Sequence, residues 1–340
     1  MPFHLILPGL LWPQKALRDT VHDLPLPNLS WLLGRGNLRW QDPVPMEHWL
    51  CRELACAPHP QHPPAAALRL LGDGGTPGDG LWLCADPVHL RIDQGRAHLF
   101  GGGLDISRDE MQQLGDALRP HFAEVGEYHA GLSGHGYLRL RKLPRLITTP
   151  PSAAAGRGNL LPSGEDASQW LRLVNEAQML LHALPLNARR EDEGRPRLNS
   201  VWLWGAGSLP ATPLAAAGDY RQLIGDQPVL KGLAAWAGIS HHPAPDAPAL
   251  PGASRGTLLL LDELQRASQA LDAGDWRSAL MALESGWLKT LVTGLRTGRL
   301  GSLRLTALGD EAALDITLTR ADAMKFWRRP RPIQQLAFPR

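Results

Sequence analysis

Short runs of consecutive apolar residues, each closed by glycine, proline or aspartate, recur along this chain of 340 residues. They lie at residues 3–7, 81–85, 201–204 and 257–261, with His4 and Thr257 as the exceptions to the apolar pattern. A strand buried on both faces has this pattern because neither face carries polar side chains, and such strands separated by helices are typical of a parallel sheet. The sequence therefore predicts an α/β fold, a three-layer sandwich with a mostly parallel central sheet.

Helical patterns and one hairpin accompany these strands. Between residues 166 and 184, apolar side chains recur at the spacing of one helix face, at Trp170, Val174, Ala177, Leu181 and Leu184. This spacing predicts a long amphipathic helix. Two later apolar stretches, residues 303–308 and 313–318, are joined through Gly309-Asp310 and predict a closing antiparallel hairpin.

Residues 88–146 have a different pattern. Short alternating stretches at residues 98–100 and 137–141 predict half-exposed antiparallel strands. Between them, Ser107 and Glu110 form a capping-box pair, which predicts the start of a helix. A strand, helix and strand arrangement of this size indicates a small α+β subdomain.

The expected domain organisation follows from this change of pattern. Residues 1–87 and 160–340 are expected to form the α/β core domain, and residues 88–159 an inserted α+β subdomain. Residues 58–80, which are rich in proline, alanine and glycine, are expected to form a linker or mobile loop.

Charge and cysteine content limit the partners and the compartment. The formal net charge of +2 predicts no nucleic-acid partner, because a nucleic-acid-binding face is normally strongly basic. Three cysteines favour a reducing compartment over a disulfide framework. Apolar stretches are too short to span a bilayer, so we expect a cytoplasmic protein with no membrane partner.

The C-terminal segment is a local exception to this low charge. Its cations crowd around two aromatic residues, Phe326 and Trp327, and are Lys325, Arg328, Arg329, Arg331 and Arg340. Two interpretations stay open for this segment. It is either an arm that binds phosphate groups or a solvated chain end.

The segment from His182 to Lys231 carries the most informative motifs. It contains Pro-x-Asn-x-x-Arg at residues 185–190, then Asn199, then a strand ending in Gly-Ala-Gly at residues 205–207, and finally Pro-x-x-Lys-Gly. In order and spacing, this segment resembles the archaeal-type, cofactor-independent phosphoglycerate mutases of the alkaline phosphatase superfamily. The resemblance implies an alkaline-phosphatase-like core with an inserted subdomain.

A second resemblance extends over nearly the whole chain. The motif Ala-Asp-Pro-Val-His-Leu at residues 85–90, the helical residues 175–182 and Phe-Trp-Arg-Arg-Pro-Arg-Pro at residues 326–332 resemble the proteobacterial RpfE-type regulatory proteins. That family is described as phosphoglycerate-mutase-like. The resemblance implies a regulatory role and leaves the biochemical activity open.

Departures from the mutase pattern affect the metal ligands. The resembled enzymes bind two divalent metals through an Asp after the first strand and later Asp and His residues, because phosphoryl transfer needs cations on the attacking and leaving oxygens. Here Pro8 stands at the position of the Asp that follows the first strand. After the strand that ends at Leu261, only Asp262 and Glu263 match the acidic and His-containing ligand segment of those enzymes. Asp310 follows a glycine but no histidine follows it. The sequence therefore predicts no metal, no cofactor and no catalytic residue.

The residues that match the ligand-binding motifs of the resembled mutases are present in this sequence. Arg190 and Lys231 are expected to hold a phosphate or carboxylate, and a glycine turn at 205–207 lets a ligand approach the backbone. The predicted ligand-binding residues are Asp86, His89, His182, Asn187, Arg190, Asn199, Gly205, Gly207 and Lys231. Two structural alternatives stay open: Arg190 as a cation at a helix end, and the glycines as a tight turn.

One further group has ligand-type side chains at close spacing. Cys51, Cys56, His59 and His62 offer four zinc-type ligands within twelve residues. Structural zinc sites usually separate two ligand pairs by a longer loop, so this spacing is a weak match.

Three hypotheses follow for the function. The first is a degenerate phosphomutase-like regulatory protein that binds a small anionic or phosphorylated metabolite, or a protein partner, without catalysis. The second is an active metal-dependent phosphotransferase resembling phosphoglycerate mutase, which leaves the enzyme question open. The third is a structural interaction protein.

Overall fold

The computed structural model describes residues 2–12, 14–56, 63–93, 96–100, 104–131, 133–153, 161–211, 220–250, 255–270 and 272–336. The strands are β1 Phe3–Leu11, β2 Asn37–Gln41, β3 Leu81–Asp93, β4 Arg96–Phe100, β5 Gly126–Ala130, β6 Gly136–Leu140, β7 Ser200–Gly207, β8 Gln222–Ile224, β9 Ser240–His242, β10 Thr257–Leu260, β11 Ser302–Gly309 and β12 Ala313–Thr319. The α-helices are α1 Gln14–Val21, α2 Pro27–Arg35, α3 Met46–Glu53, α4 Ala65–Gly72, α5 Arg108–Phe122, α6 Ala167–His182, α7 Pro185–Asp192, α8 Pro228–Ala237, α9 Glu263–Gln269, α10 Ala273–Leu283, α11 Lys289–Thr297 and α12 Arg320–Ala323.

The chain divides into two compact units. Unit 1 comprises Met1–Met46, Gly218–Gln227 and Gly238–Arg340, and unit 2 comprises Glu47–Ala217 and Pro228–Ala237. Unit 2 is larger than the expected insertion of residues 88–159. The reason is that β7 pairs with β3 and that α4 and α8 pack together, so all four elements stay with the second sheet.

Unit 1 is built on a seven-stranded sheet. The strand order is β2-β12-β11-β1-β10-β8-β9. The strands β11, β1, β10, β8 and β9 run parallel to one another, whereas β12 pairs antiparallel with β11, and β2 pairs antiparallel with β12 at the edge of the sheet. This arrangement confirms the predicted α/β fold with a mostly parallel sheet, and the β11–β12 pair confirms the predicted hairpin.

The first strand differs from its prediction at its end. It was expected to close at Pro8 and Gly9, but β1 continues to Leu11 beside β11, with a shift of register after Pro8. Gly9 has φ +78°, a conformation that glycine adopts without strain, so the chain bends there and continues.

Unit 2 is built on a smaller antiparallel sheet. Its order is β4-β3-β6-β5, and β7 pairs with β3 on the other side. The apolar runs at residues 81–85 and 201–204, expected in a parallel sheet, therefore belong to antiparallel strands. The run at residues 201–204 has few polar residues because β7 is covered on both faces. Trp170 and other residues of α6 cover one face, and Arg69 of α4 lies over Trp204 on the other face.

Local helix signals agree well with the structure. The capping box of Ser107 and Glu110 starts α5, and α6 follows its predicted stripe closely. The expected linker at residues 58–80 is wrong in its centre, because Ala65–Gly72 forms α4, which packs against α8.

None of the helices formed by the described residues combines the length and the apolar character that a membrane span requires.

Candidate functional site

The carboxyl ends of the parallel strands of unit 1 form the edge at which ligands bind in open α/β sheets. Strand β1 ends at Leu11, β10 leads to Asp262, β8 to Asp226 and Gln227, and β11 ends at Gly309. We call this the sheet edge. Its contacts decide whether it can hold metal ions and a phosphate.

Protein groups fill the sheet edge beside β1. The indole Nε1–H of Trp276 donates to the carbonyl of Gly9 at 2.7 Å, and the rings of Trp12 and Trp276 lie 5.2 Å apart. The backbone of Gln265 is so close that a Cβ on Gly9 would approach it to 2.7 Å. Pro8, which precedes this contact, has no side-chain atom that can ligate a metal.

Asp262 is the carboxylate that follows β10. It accepts a hydrogen bond from the amide of Gln227 and lies 3.4 Å from the guanidinium of Arg266, one turn later in α9. A cation of the protein already lies beside this carboxylate. Positive charge at this position disfavours a second cation at the same oxygens.

Asp310 follows β11 in the tight connection to β12, as the hairpin prediction required. A Cβ on Gly309 would lie 2.5 Å from the carbonyl of Leu11, so glycine is needed for the close approach of β1 and β11. Within the described ranges, no three His, Cys, Asp or Glu side chains are grouped so that they could share an ion. The donors at this edge, with Pro8 in place of a ligand and Asp262 beside Arg266, do not fit a pair of divalent cations.

The amino end of α2 is also occupied. The backbone N–H groups of Asn28 and Leu29 donate to the two carboxylate oxygens of Glu284, at 2.5 and 3.0 Å. A helix N-terminus attracts anions because its first N–H groups are unpaired. Here an internal, buried carboxylate supplies the negative charge.

The two hydroxyls near the first helices have ordinary surroundings. The Thr20 hydroxyl donates to the carbonyl of Ala16 at 2.8 Å, within its own helix. Ser30 lies in α2, and its carbonyl accepts from the amide of Arg331. These contacts are with backbone groups, and they place no general base beside either hydroxyl.

Cys51 and Cys56 lie at the end of α3. The amide of Cys56 donates to the carbonyl of Cys51 at 2.8 Å, the closing bond of a helix C-cap, and both side chains are buried. The contact with Cys56 and burial raise the pKa of the Cys51 thiol well above its ordinary value. His59 and His62 lie outside the described residues.

Arg190 of unit 2, the expected anion ligand, is fully enclosed. It ion-pairs with Glu110 at 3.0 Å and donates to the carbonyls of Pro196 and Leu104 at 2.7 and 2.6 Å. Burial alone would raise the pKa of Glu110, but the Ser107 amide and the guanidinium groups lower it below its ordinary range. These contacts use Arg190 inside the fold, so the predicted anion-binding role is corrected to a structural one.

The neighbouring asparagines bind backbone. Asn187 accepts from the amide of Leu198 and donates to the carbonyls of Leu181 and Leu198, all within 2.9 Å. Asn199 makes a reciprocal pair with the amide and carbonyl of Leu90 at 2.7 and 2.9 Å. Both side chains hold the backbone just before β7 in place through these hydrogen bonds. They are not turned to a ligand.

The predicted histidines do not join them in a pocket. The ring of His89 donates through Nδ1 to the carbonyl of Arg197 at 2.8 Å. His182 is exposed at the end of α6. From the same helix, the side-chain amide of Gln178 donates to the Ser200 hydroxyl of β7 at 3.0 Å.

The glycines of the motif permit close packing. Gly205 has φ +70°, and a Cβ there would lie 3.0 Å from Ala65, while one on Gly207 would lie 3.0 Å from Pro64. A Cβ on Gly232 would approach the carbonyl of Leu68 to 1.8 Å. The Gly-Ala-Gly and Lys-Gly signals thus reflect the contacts of β7 and α8 with α4.

Strand geometry separates the expected ligands. Arg190 binds Pro196, which precedes the first residue of β7, whereas Gly205 lies near the end of that strand. Five extended residues span roughly 16 Å. The strand length therefore separates the Pro196 contact of Arg190 from the glycine turn, and Lys231 lies half-buried on α8.

Asp86 forms a buried ion pair with Arg69. The two groups meet through two hydrogen bonds of 2.6 and 2.7 Å, and Asp86 also accepts from the indole of Trp204 and the amide of Gly136. Burial alone would raise the pKa of Asp86, but the Arg69 guanidinium outweighs it and holds that pKa below the ordinary range. The expected ligand residue is thus already paired.

The network continues from Arg69 towards the surface. Its Nε–H donates to the Tyr137 hydroxyl at 3.1 Å, and that hydroxyl donates to Asp73 at 2.5 Å. Nδ1 of His135 lies 2.8 Å from Asp73 and 3.3 Å from the Ser133 hydroxyl. A nucleophile and its orienting carboxylate should meet opposite ring nitrogens, so these three side chains do not form a catalytic triad.

Sequence reasoning missed Arg69 and Glu284. Arg69 lies in the stretch expected to be a linker, and its partner Asp86 was assigned to a ligand pocket. Glu284 lies 256 residues from Asn28 in sequence. No local motif marks either contact, because the partners meet only in the folded sheet and helix packing.

Comparisons with known proteins give the fold class of this chain. No protein-family model matches this chain. Over its whole length it is similar in fold to the PH0037 protein of Pyrococcus horikoshii, with a TM-score of 0.52 at 16% identity, covering 98% of this chain and 91% of that one. This agrees with the mixed α/β class seen in the sheet of unit 1.

The similar curated proteins are mutases. The chain is 29% identical over 180 residues to the 2,3-bisphosphoglycerate-independent phosphoglycerate mutase of Methanosarcina acetivorans, covering 49% of this chain and 45% of that enzyme. It is 30% identical over 175 residues to that of Methanosarcina barkeri, covering 47% and 43%. The chain thus matches less than half the length of these relatives, as a distant and partial relative of the archaeal-type enzymes.

Proposed function

We propose that this protein is a phosphoglycerate-mutase-like regulatory protein that acts by binding and does not catalyse metal-dependent phosphoryl transfer. The observation that carries the proposal is the filled sheet edge, where Trp276 donates to Gly9 beside Pro8. A two-metal mechanism needs carboxylate and imidazole ligands and an open position at that edge. The indole and the first turn of α9 take that space.

Electrostatics at the same edge support this proposal. Arg266 lies beside Asp262, and Glu284 supplies its own charge to the amino end of α2. In a phosphotransferase these two places would face a metal cation and a phosphate. In this chain the positive charge of Arg266 takes the place of the metal cation, and the negative charge of Glu284 takes the place of the phosphate.

A protein partner is the better candidate ligand than a small metabolite, because the predicted metabolite-binding residues of unit 2 are already engaged. Arg190, Asn187, Asn199 and Asp86 all bind groups of their own unit. Within this proposal, the resemblance of the motifs at residues 85–90, 175–182 and 326–332 to the RpfE-type proteins favours a regulatory role. A cytoplasmic location stays a prediction.

An activity assay with the full chain tests the proposal. We expect no interconversion of 2-phosphoglycerate and 3-phosphoglycerate with added Mn²⁺, and no rise in unfolding temperature with either compound. A native-state ligand would raise that temperature by mass action. The matched variant is Asp262→Asn, which removes the carboxylate of the sheet edge without changing its shape.

The opposite result has a clear signature. Mutase activity in the original chain that is lost in Asp262→Asn would show an active phosphoglycerate mutase, which the similarity to the Methanosarcina enzymes would then explain. Activity of equal size in both chains that stays with the protein through a second purification would also contradict the proposal, because it would show catalysis without the Asp262 carboxylate.

A further inference from the structure

One surface of unit 1 carries cations without carboxylate partners. Arg35 and Arg296 both lie over the ring of Trp31, with their guanidinium carbons 4.9 and 5.0 Å from its centroid. Two like charges on one indole repel each other. Burial and the nearby Arg296 lower the pKa of the Arg35 guanidinium.

Arg35 also has unsatisfied donors. Its Nε and Nη1 atoms are enclosed and have no hydrogen-bond partner among the described residues. Leaving buried donors unpaired costs about 1–3 kcal/mol, and more for a charged group. Buried donors in folded proteins are nearly always hydrogen-bonded, so the guanidinium of Arg35 has unused hydrogen-bonding capacity.

The C-terminal segment adds to this charge and is held firmly in place. Arg328 donates to the carbonyl of Arg35 at 2.9 Å, and the amide of Arg331 donates to the carbonyl of Ser30 at 2.8 Å. The chain passes so close to α2 that a Cβ on Gly34 would lie 2.2 Å from the carbonyl of Arg329. The segment is therefore a preorganised surface in the described structure, rather than a loose tail.

Exposed aromatic side chains accompany the arginines. Phe326 is 83% exposed and Trp327 is 66% exposed, with their rings 5.2 Å apart, and Met324 beside them is 67% exposed. Large exposed apolar side chains next to one another mark interaction sites. We call this region the arginine–aromatic surface, which consists of Trp31, Arg35, Arg296, Met324 and residues 326–331.

Pairing is available elsewhere in the same unit. Arg277 and Arg304 each have a carboxylate within 2.9 Å. Lys325 pairs with Asp322. By contrast, none of the five arginines of the arginine–aromatic surface, at positions 35, 296, 328, 329 and 331, has a carboxylate partner among the described residues.

A structural explanation covers only part of this charge. Both α2 and α11 end with an arginine in the last turn, where a helix dipole favours cations. Each helix end supplies only about half a unit of negative charge. Two such ends leave most of the charge of five arginines without compensation.

We propose that the arginine–aromatic surface docks an acidic segment of a partner protein, with carboxylates beside Arg35 and Arg296 and an apolar side chain against Phe326 and Trp327. This inference uses no residue of the sheet edge, so it stands whether or not that edge is catalytic. Protein interfaces are enriched in tryptophan and arginine and depleted in lysine, which matches this composition.

Charge and geometry favour a protein over other anionic partners. The chain as a whole has a net charge of only +2, which gives little of the long-range attraction that nucleic acids and anionic membranes exert on basic proteins. The ring of Trp31 is already covered by two guanidinium groups and cannot stack on a base. Arginine forks bind carboxylates in a planar pair, which suits a defined acidic segment.

The test uses the full chain and a displayed library of short random peptides as the probe. We expect the selected peptides to carry Asp or Glu next to an aromatic or aliphatic residue. Arg296→Gln and Trp327→Ala should each weaken the best peptide by about tenfold or more. The matched control is Arg39→Gln, an exposed arginine of unit 1 outside this surface, which should leave the affinity unchanged.

Stability separates binding from a structural role. Arg296 and Trp327 are exposed, so both variants should unfold at the temperature of the original chain, whereas side chains that hold the fold together would lower it. A lower unfolding temperature for Arg296→Gln would count against the proposal. So would a library that yields no peptide, or peptides without acidic residues, or peptides whose affinity neither substitution changes.

Two further probes distinguish the competing partners. Oligothymidylate and vesicles of phosphatidylglycerol are measured against the same variants. Binding of either that depends on Arg296 and exceeds that of every selected peptide would overturn the assignment to a protein partner. Weak binding that Arg39→Gln reduces equally would reflect general charge and would leave the proposal intact.

Discussion

The two units use arginine in opposite ways. In unit 2, Arg69 and Arg190 are enclosed, and each is paired with a carboxylate and with further acceptors. In unit 1, Arg35 and Arg296 share one indole and have no carboxylate beside them among the described residues. These arginines of the two units therefore differ in whether a carboxylate of the same unit neutralises them.

An arginine in a sequence motif is not by itself a sign of ligand binding. An arginine inside an apolar region must be paired within the fold, because an isolated buried charge is very costly. Arg190 was expected to bind an anion from its place in a Pro-x-Asn-x-x-Arg pattern, yet Glu110 takes that role. An arginine that remains unpaired at a surface is the better candidate for a partner.

The largest expected effect is the loss of a buried pair. Arg69→Met should lower the free energy of unfolding by about 3–5 kcal/mol, because it leaves Asp86 charged and enclosed without its cation. Urea denaturation of the two chains measures this change. The control is Arg172→Met, which removes an exposed ion pair with Glu176 and should cost less than about 1 kcal/mol.

A result below that of the control would break the comparison. It would mean that Arg69 is no more than a surface-like charge and that the enclosed network contributes little. Hydrogen bonds from Trp204 and Gly136 would then be enough to hold Asp86.

A conservative change at Arg190 should have the next largest effect. Arg190→Lys keeps the charge but loses the fork that reaches Pro196, Leu104 and Glu110 together, so we expect a loss of about 2–3 kcal/mol. Its neighbour offers a matched control, since Arg189→Lys changes an exposed side chain that donates to Gln113. If the two variants unfold alike in urea, the enclosed contacts of Arg190 do not stabilise the fold.

Acid should weaken the paired unit in a defined direction. The pKa of Asp86 is lowered from 3.8 in the folded chain, so the stability it contributes is present above that pH and is lost as the pH falls below it. One such carboxylate changes the free energy of unfolding by up to about 1.4 kcal/mol per pH unit. Urea denaturation between about pH 5 and pH 3 measures the slope, which Asp86→Asn should reduce. An unchanged slope in that variant would place the acid sensitivity elsewhere.

The smallest expected effect belongs to the unpaired arginines. Arg296→Gln should change the free energy of unfolding by no more than about 0.5 kcal/mol, because it removes an exposed charge and relieves its repulsion with Arg35. Thermal and urea unfolding both report it. A loss of the size expected for Arg190→Lys would show that Arg296 is structural as well and would remove the contrast between the units.

Local order was readable from the sequence by itself. The strand at residues 3–7, the capping box that starts α5, the stripe of α6 and the hairpin of β11 and β12 all depend on neighbours within a few residues. Periodicity and capping therefore predicted them, and the strand pattern predicted the α/β class. The replacement of a metal ligand by Pro8 was also visible, because side-chain chemistry at one position needs no fold to interpret.

Only the tertiary structure decided what each charged side chain does. The partners Arg69 and Asp86, Arg190 and Glu110, and Glu284 and the amino end of α2 are 17, 80 and about 256 residues apart in sequence. An apolar run is the same in a parallel or an antiparallel strand when both faces are covered, so the direction of β7 was not readable either. Burial and long-range pairing arise when distant segments pack, and for that reason the fold alone separates the arginines that hold this protein together from those left for a partner.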